Sequence, residues 1–169
     1  MTRPFRKPSP AILATAILVG LLICRLPNSV DSEFDASQSS MVYVTRVIDG
    51  DTVKLGDGRR IRLLGIDAPE LGYNGNPSED GAMESLEWLR RRIEDTDVRL
   101  RYGPERVDRY GRTLAWIYLP DGELINKELL ERGHARLVTK FGLPADLSAE
   151  LHQATARARV RNRGIWKDH

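Results

Sequence analysis

Two carboxylates flank a glycine at Asp49-Gly50-Asp51, and two more follow at Asp67 and Glu70. Carboxylates drawn close together repel unless a cation or protonation relieves them. The three histidines, His134, His152 and His169, are far apart in the chain, so the donors available near these acids are oxygens. That donor set suits a hard ion, Ca2+ or Mg2+, rather than zinc. Arg62 stands in the otherwise apolar run Ile61-Arg-Leu-Leu-Gly-Ile66, where an arginine turned inward needs an anion. Arg112 ends Asp108-Arg109-Tyr110-Gly111-Arg112, directly before another apolar run. Taken singly, each of these is also ordinary: Asp-Gly-Asp makes a tight turn, and an arginine sits comfortably on an edge strand or in a loop.

What separates these readings is whether the local elements bring the residues together. Val42–Ile48, Thr52–Leu55 and Arg60–Ile66 are rich in β-branched residues and read as strands. Asp57-Gly58 between the second and third is a hairpin signal. Pairing about that turn makes partner numbers sum to roughly 115. Asp51 then faces about Leu64 and Asp49 about Ile66, which gathers Asp49, Asp51, Asp67 and Glu70 at one end of the sheet. Strict alternation would put Arg62 on the face opposite Asp67, so a bulge near Leu64-Gly65 is required. Further on, Ala82, Leu86, Leu89 and Ile93 recur at helical spacing across 79–93. Strands follow at Val98–Tyr102 and Thr113–Leu119, then a short helix over 124–131 that Gly133 can end. Leu147, Leu151, Ala154 and Ala158 form one stripe of a third helix, with Trp166 behind it as a packing anchor. About five strands interleaved with three helices give an α+β, mainly β architecture: a small barrel with helices against it.

The 169 residues leave room for one domain after the first forty are set aside. Those forty open with Arg3, Arg6 and Lys7, run apolar from Ala11 to Cys24 and then turn polar. The order is that of an export signal, and its basic start keeps the N-terminus in the cytoplasm. The 14-residue apolar run is shorter than a spanning helix wants, yet no A-x-A site follows it and Arg25 adjoins it. A cleaved signal and an uncleaved outward-facing anchor both remain open. The protein is therefore expected to be exported, whether secreted, periplasmic or anchored, with residues 41–169 as its domain. With four basic and three acidic residues set aside, that domain holds 22 Lys and Arg against 21 Asp and Glu. Such a balance excludes a general polyanion-coating protein, and a nucleic acid would need a local cationic cluster. The single cysteine, Cys24, lies outside the domain.

Three long stretches then coincide in order and spacing: Val47-Ile-Asp-Gly-Asp-Thr-Val53, Arg62-Leu-Leu-Gly-Ile-Asp-Ala-Pro-Glu70 and Asp108-Arg-Tyr-Gly-Arg112. Together with Leu114-Ala-Trp-Ile-Tyr118, Asn126-Lys-Glu-Leu-Leu130, Gly133-His-Ala135 and Gly164-Ile-Trp166, the chain resembles the staphylococcal nuclease (thermonuclease) family over 41–166. The resemblance implies a five-stranded oligonucleotide-binding (OB) barrel with three helices and a Ca2+-dependent phosphodiesterase. It implies that Asp51 and Asp67 ligate calcium through carboxylates and Ala68 through its main-chain carbonyl, with Asp49 just behind them. It makes Glu70 the general base, Arg62 and Arg112 the grips on the scissile phosphate, and Tyr110 a contact to a substrate phosphate, with Arg109 beside it. DNA and RNA, single strands by preference, would be cut with little base specificity to leave 3′-phosphates, by a monomer.

These roles agree with the chemistry. Attack on a phosphodiester adds charge to its equatorial oxygens, and two planar forks aimed there tighten as it accumulates. Ala68-Pro69 stiffens the backbone between ligand and base. The chain departs from the family at the base-stacking stretch, which here reads Leu137-Val-Thr-Lys-Phe141, so Phe141 can stack but brings no hydroxyl. Leu71–Ser78 is its own sequence, with Tyr73 a candidate base contact. Arg90-Arg91-Arg92 resembles a phosphate patch, although such a run on a helix is more often simply solvated. The competing reading is a catalytically silent barrel that binds nucleic acid or protein. Such a module has no reason to keep a glutamate and two arginines around an acidic cluster.

Overall fold

In the computed structural model, residues 40–167 are described. The segment expected to direct export lies outside them, except for its last residue. Strands β1 (Met41–Val47), β2 (Thr52–Leu55) and β3 (Arg60–Leu63) come first. A two-residue strand β4 (Ile66–Asp67), helix α1 (Ala82–Ile93), and strands β5 (Asp97–Val107) and β6 (Thr113–Tyr118) follow. Helix α2 (Ile125–Arg132), strand β7 (Arg136–Leu137) and helix α3 (Ala145–Val160) complete the order, with a 3-10 turn at Gly164–Trp166. The sheet closes on itself as β1-β2-β3-β6-β5, and β4 pairs with β7 in a separate two-stranded ladder. This is the expected five-stranded barrel with three helices.

Alternation builds the barrel interior. Val47, Val53, Ile61 and Leu63 all turn inward and are fully buried, while Lys54 and Arg60 between them face out. Leu86, Leu89 and Ile93 of α1, and Leu129 and Leu130 of α2, add their apolar stripes to the same core. Asn126, fully buried, ties α2 to the sheet: its side-chain carbonyl accepts from Ile117 N–H at 3.1 Å and its amide donates to Leu64 O at 2.8 Å. The C-terminal turn is clasped to the end of α2 by Ile165 N–H donating to Gly133 O at 2.9 Å. The Trp166 ring there lies near the guanidinium groups of Arg136 and Arg159, at 5.9 and 4.4 Å, and is half-buried rather than part of the core.

Two expectations about the second hairpin are corrected. Lys54 pairs with Arg60, Val53 with Ile61 and Thr52 with Arg62, so partner numbers sum to 114 rather than 115. The loop holds three residues, Gly56-Asp57-Gly58, closed by Leu55 N–H donating to Arg59 O, and its last residue takes a left-handed conformation at φ 88°. That is the three-residue hairpin with a glycine in the third position, whose register differs by one from a two-residue Asp-Gly turn. Asp51 therefore stands opposite Leu63, whose N–H donates to Asp51 O at 2.9 Å. The inferred bulge is in fact a break. The strand stops at Leu63, turns through Leu64 and Gly65, and resumes as β4. Gly65 has φ 68°, and a Cβ there would meet the Trp116 ring at 2.3 Å, so no larger residue makes this turn.

Candidate active site

The turn at Gly65 swings Asp67 back toward Arg62, which alternation alone would have kept apart. Arg62 Nη2 lies 2.9 Å from Asp51 Oδ2 and 2.9 Å from Asp67 Oδ1. Its other terminal nitrogen, Nη1, donates to the carbonyls of Leu63 at 2.8 Å and Ile66 at 2.9 Å, the two ends of the same turn. The guanidinium thus pins the turn that delivers Asp67.

Asp51 is the buried partner, only 6% exposed. Its Oδ2 also accepts from Ala68 N–H at 3.0 Å, and its Oδ1 from the Thr52 hydroxyl at 3.2 Å. Burial pushes this carboxyl up to about 7, against the pull of Arg62 and the Ala68 amide; Asp49 nearby adds to the rise. Asp49 Oδ1 accepts from Asp51 N–H at 3.0 Å, so its carboxylate shapes the Asp-Gly-Asp turn from behind. Both readings of that motif hold at once: it is a tight turn, and it presents a buried acid. Gly50 is required for packing. A Cβ there would meet Ser85 Oγ at 2.4 Å and Ala68 Cβ at 2.6 Å.

Asp49 joins Asp51 through the turn and Asp67 joins it through Arg62, but these acids do not form a ready cage. Among the described residues no three of His, Cys, Asp or Glu converge to hold an ion, and Arg62 bridges Asp51 and Asp67. Glu70 follows three residues after Asp67 and is exposed, and no described residue pairs with its side chain. Its backbone is tied down, with Glu70 N–H donating to Glu79 Oε2 at 3.2 Å and Glu70 O accepting from Glu79 N–H at 2.9 Å.

Arg112 reaches the same face from the β5–β6 loop. It stands two residues before Leu114, the partner of Arg62 across the parallel β3–β6 pair. Asp108 holds it twice, accepting from Arg112 N–H at 2.9 Å and from Nε at 2.8 Å. Tyr110 is 59% exposed, with the Arg109 and Arg112 guanidinium carbons 4.7 and 5.5 Å from its ring centroid. Arg109 also donates to the Tyr110 hydroxyl at 2.6 Å. Arg60 Nη2 donates to Tyr110 O at 3.4 Å and joins this loop to β3. Phe141 lies on the loop after β7, 81% exposed, with Lys140 Nζ 5.7 Å from its ring. Among the described residues nothing links it to the acidic end. Tyr73 is likewise exposed.

The structure adds three residues that position the others: Thr52 on Asp51, Asp108 on Arg112, and Asn126 on the Leu64 carbonyl of the turn. Asp108 is signalled by its place four residues before Arg112, whereas Thr52 and Asn126 have no signal a single sequence could give. A polar cleft of about 1010 Å3 opens elsewhere, among Glu84, Arg92, Lys127, Glu128 and Arg163, and includes none of the site residues.

Comparison with known proteins places the chain among nucleases. The family model described as staphylococcal nuclease homologue matches residues 60–168. A thermonuclease of Staphylococcus intermedius is 34% identical over 170 residues, covering 96% of this chain and 99% of that protein. A thermonuclease of Staphylococcus hyicus is 36% identical, covering 74% of this chain and 75% of its own length. A micrococcal nuclease of Shigella flexneri is 33% identical over 138 residues, covering 74% of this chain and 72% of its own length.

Proposed function

Since the chain belongs to the staphylococcal nuclease family and is a nuclease, we propose that it is a Ca2+-dependent phosphodiesterase acting on DNA and RNA. It cuts single strands by preference, with little regard to base, and leaves 3′-phosphates. The observation that carries this reading is the clamp of Arg62 between buried Asp51 and Asp67.

The donors fit a calcium ion. Two carboxylates and the Ala68 carbonyl are all oxygen, and Ca2+ takes roughly six to eight oxygens in irregular geometry, the remainder from water and substrate. The raised Asp51 carboxyl says that one guanidinium does not fully offset the charge buried here. Bound at these residues, the ion would polarise the phosphoryl group and acidify a water.

The chain's own groups do the rest. Arg62 Nη1 is committed to two carbonyls, so the Nε–Nη2 edge is the fork left for a phosphate once the carboxylates are otherwise engaged. Arg112 has its Nε committed to Asp108, which leaves both Nη groups at the end of its fork. Two forks held by folded structure lose little freedom on binding and can tighten as charge builds on the phosphoryl oxygens. Glu70, unpaired and solvated, accepts the proton of the attacking water. Export, supported by the basic and then apolar first 24 residues, belongs to the same proposal. The mass of the mature protein from producing cells separates a cleaved signal from an anchor.

Digestion of single-stranded DNA tests the core of the reading. Cleavage with Ca2+ that stops in chelator is expected. Cleavage that persists in chelator contradicts the mechanism, and absence of cleavage in both favours a silent binding barrel.

A further inference from the structure

The sheet register places a row of cations on the outer face of the barrel. Arg46 of β1 pairs with Lys54 of β2, and Lys54 pairs with Arg60 of β3. Because Ile61 pairs with Thr113 in the parallel β3–β6 ladder, the row continues to Arg112, immediately before β6. Arg46, Lys54 and Arg60 are all exposed, and none makes an ion pair with a described residue. The inward residues beside them, Val47, Val53 and Ile61, are buried, so the cations share the outer face. With strands about 4.8 Å apart, the row runs roughly 14 Å from Arg46 to the phosphate grip at Arg112.

Like charges directly opposite one another on neighbouring strands cost stability. Two such cross-strand pairs stand here with no carboxylate between them, in a domain whose cations and anions otherwise nearly balance. Fold stability does not account for the row. A polyanion laid across the strands does, and the strand faces of small closed barrels are where chains of nucleotides are commonly held.

We infer that Arg46, Lys54 and Arg60 form a phosphate track that holds a single-stranded polynucleotide beyond the cleavage point and feeds it to Arg112. The inference rests on the nuclease reading for its direction, since the track ends at a residue assigned there. It adds a binding role for three residues outside the catalytic group and makes affinity depend on strand length.

The test uses the full chain carrying Glu70→Gln, so that the probe survives, with Ca2+ present. The probes are a labelled single-stranded DNA of twelve nucleotides and a labelled dinucleotide. Substituting Arg46→Gln, Lys54→Gln and Arg60→Gln together should weaken twelve-mer binding about tenfold to a hundredfold near 0.1 M salt. The slope of log affinity against log salt should fall by about 2, at roughly 0.7 for each phosphate no longer neutralised. The ratio of twelve-mer to dinucleotide affinity should fall by a similar factor. Arg90→Gln with Arg91→Gln, which removes charge from α1, should leave twelve-mer affinity within about twofold. The thermal midpoint of the triple variant should not drop, because like charges facing one another are removed. Should that variant nonetheless fold poorly, Lys54→Gln alone should lower the slope by about 0.7. An unchanged slope and affinity overturns the track. So does an equal loss in the α1 variant, or an equal loss on the dinucleotide. Binding that follows these predictions in a protein that never cleaves would overturn the nuclease reading and leave the track standing.

Discussion

The acidic end of the barrel and the exposed residues proposed to meet substrate, here the rim, are built in opposite ways. At the acidic end, Asp51 is 6% exposed, accepts from Ala68 and Thr52 and forms an ion pair with Arg62, which itself donates to Leu63, Ile66 and Asp67. At the rim, Tyr110 is 59% and Phe141 81% exposed, and Glu70 has no side-chain partner among the described residues. The first region is held by contacts within the fold, so its charged groups stand close together before substrate arrives. The second consists of exposed side chains with few fixed partners. A residue of the first should therefore matter to rate together with stability or ion binding, and a residue of the second to rate or affinity alone.

Arg62→Gln should break the contrast most. It removes one phosphate fork and leaves Asp51 without its counter-charge. Steady-state cleavage of single-stranded DNA should fall about 10^3-fold or more, and thermal unfolding should show a loss of about 2 kcal/mol. Arg62→Lys should restore little, because an ammonium cannot span two carbonyls and present a fork. Asp51→Asn should separate ion binding from folding. Ca2+ affinity measured by calorimetry should weaken by about 100-fold, while the ion-free protein unfolds at a similar or higher temperature, since a buried charge has gone.

His134 extends the same distinction to pH. It is half-buried, its ring centroid 5.5 Å from that of Trp88. Burial first, then Arg132, lowers its pKa from 6.5 to about 4. A lowered folded pKa means that its contribution to stability is complete above about 6.5 and is lost as pH falls toward 4. His134→Gln should therefore flatten the thermal midpoint between those two pH values, with little effect on cleavage at pH 8. The rim should give the smallest effects. Tyr110→Ala should raise KM several-fold with kcat nearly kept, and Phe141→Ala should change stability by under about 0.5 kcal/mol.

Local chemistry was what the sequence made readable. The hairpin at Asp57-Gly58, the apolar stripe of α1 and the stop at Gly133 each follow from a few adjacent residues, and all three stand in the structure. Register and break were harder. A three-residue loop and a two-residue turn differ by one partner, and a bulge and a full break at Gly65 leave nearly the same trace in sequence. The β4–β7 ladder joins residues about seventy positions apart, Ile66 with Leu137, and has no local signature. Cationic runs show the same limit from the other side. Arg90-Arg91-Arg92 draws attention because its members are adjacent, yet Arg90 lies 3.8 Å from Glu94, Arg91 3.6 Å from Glu87, and Arg92 pairs with Glu123 and Glu128. Arg46, Lys54 and Arg60 are dispersed along the chain, and only strand pairing sets them side by side. The site residues are legible largely through a family resemblance, and their side-chain partners only through the fold.

In the proposed mechanism the arginine and carboxylate end serves Glu70, which takes the proton of the attacking water. Single-turnover cleavage of a labelled single-stranded DNA by Glu70→Gln, in Ca2+ and with the protein in excess, tests it most directly. The account predicts a rate lower by about 10^2- to 10^4-fold with the protein concentration for half-maximal rate changed less than about threefold. A rate within tenfold of the parent, or a loss that appears only as weaker binding, would contradict it.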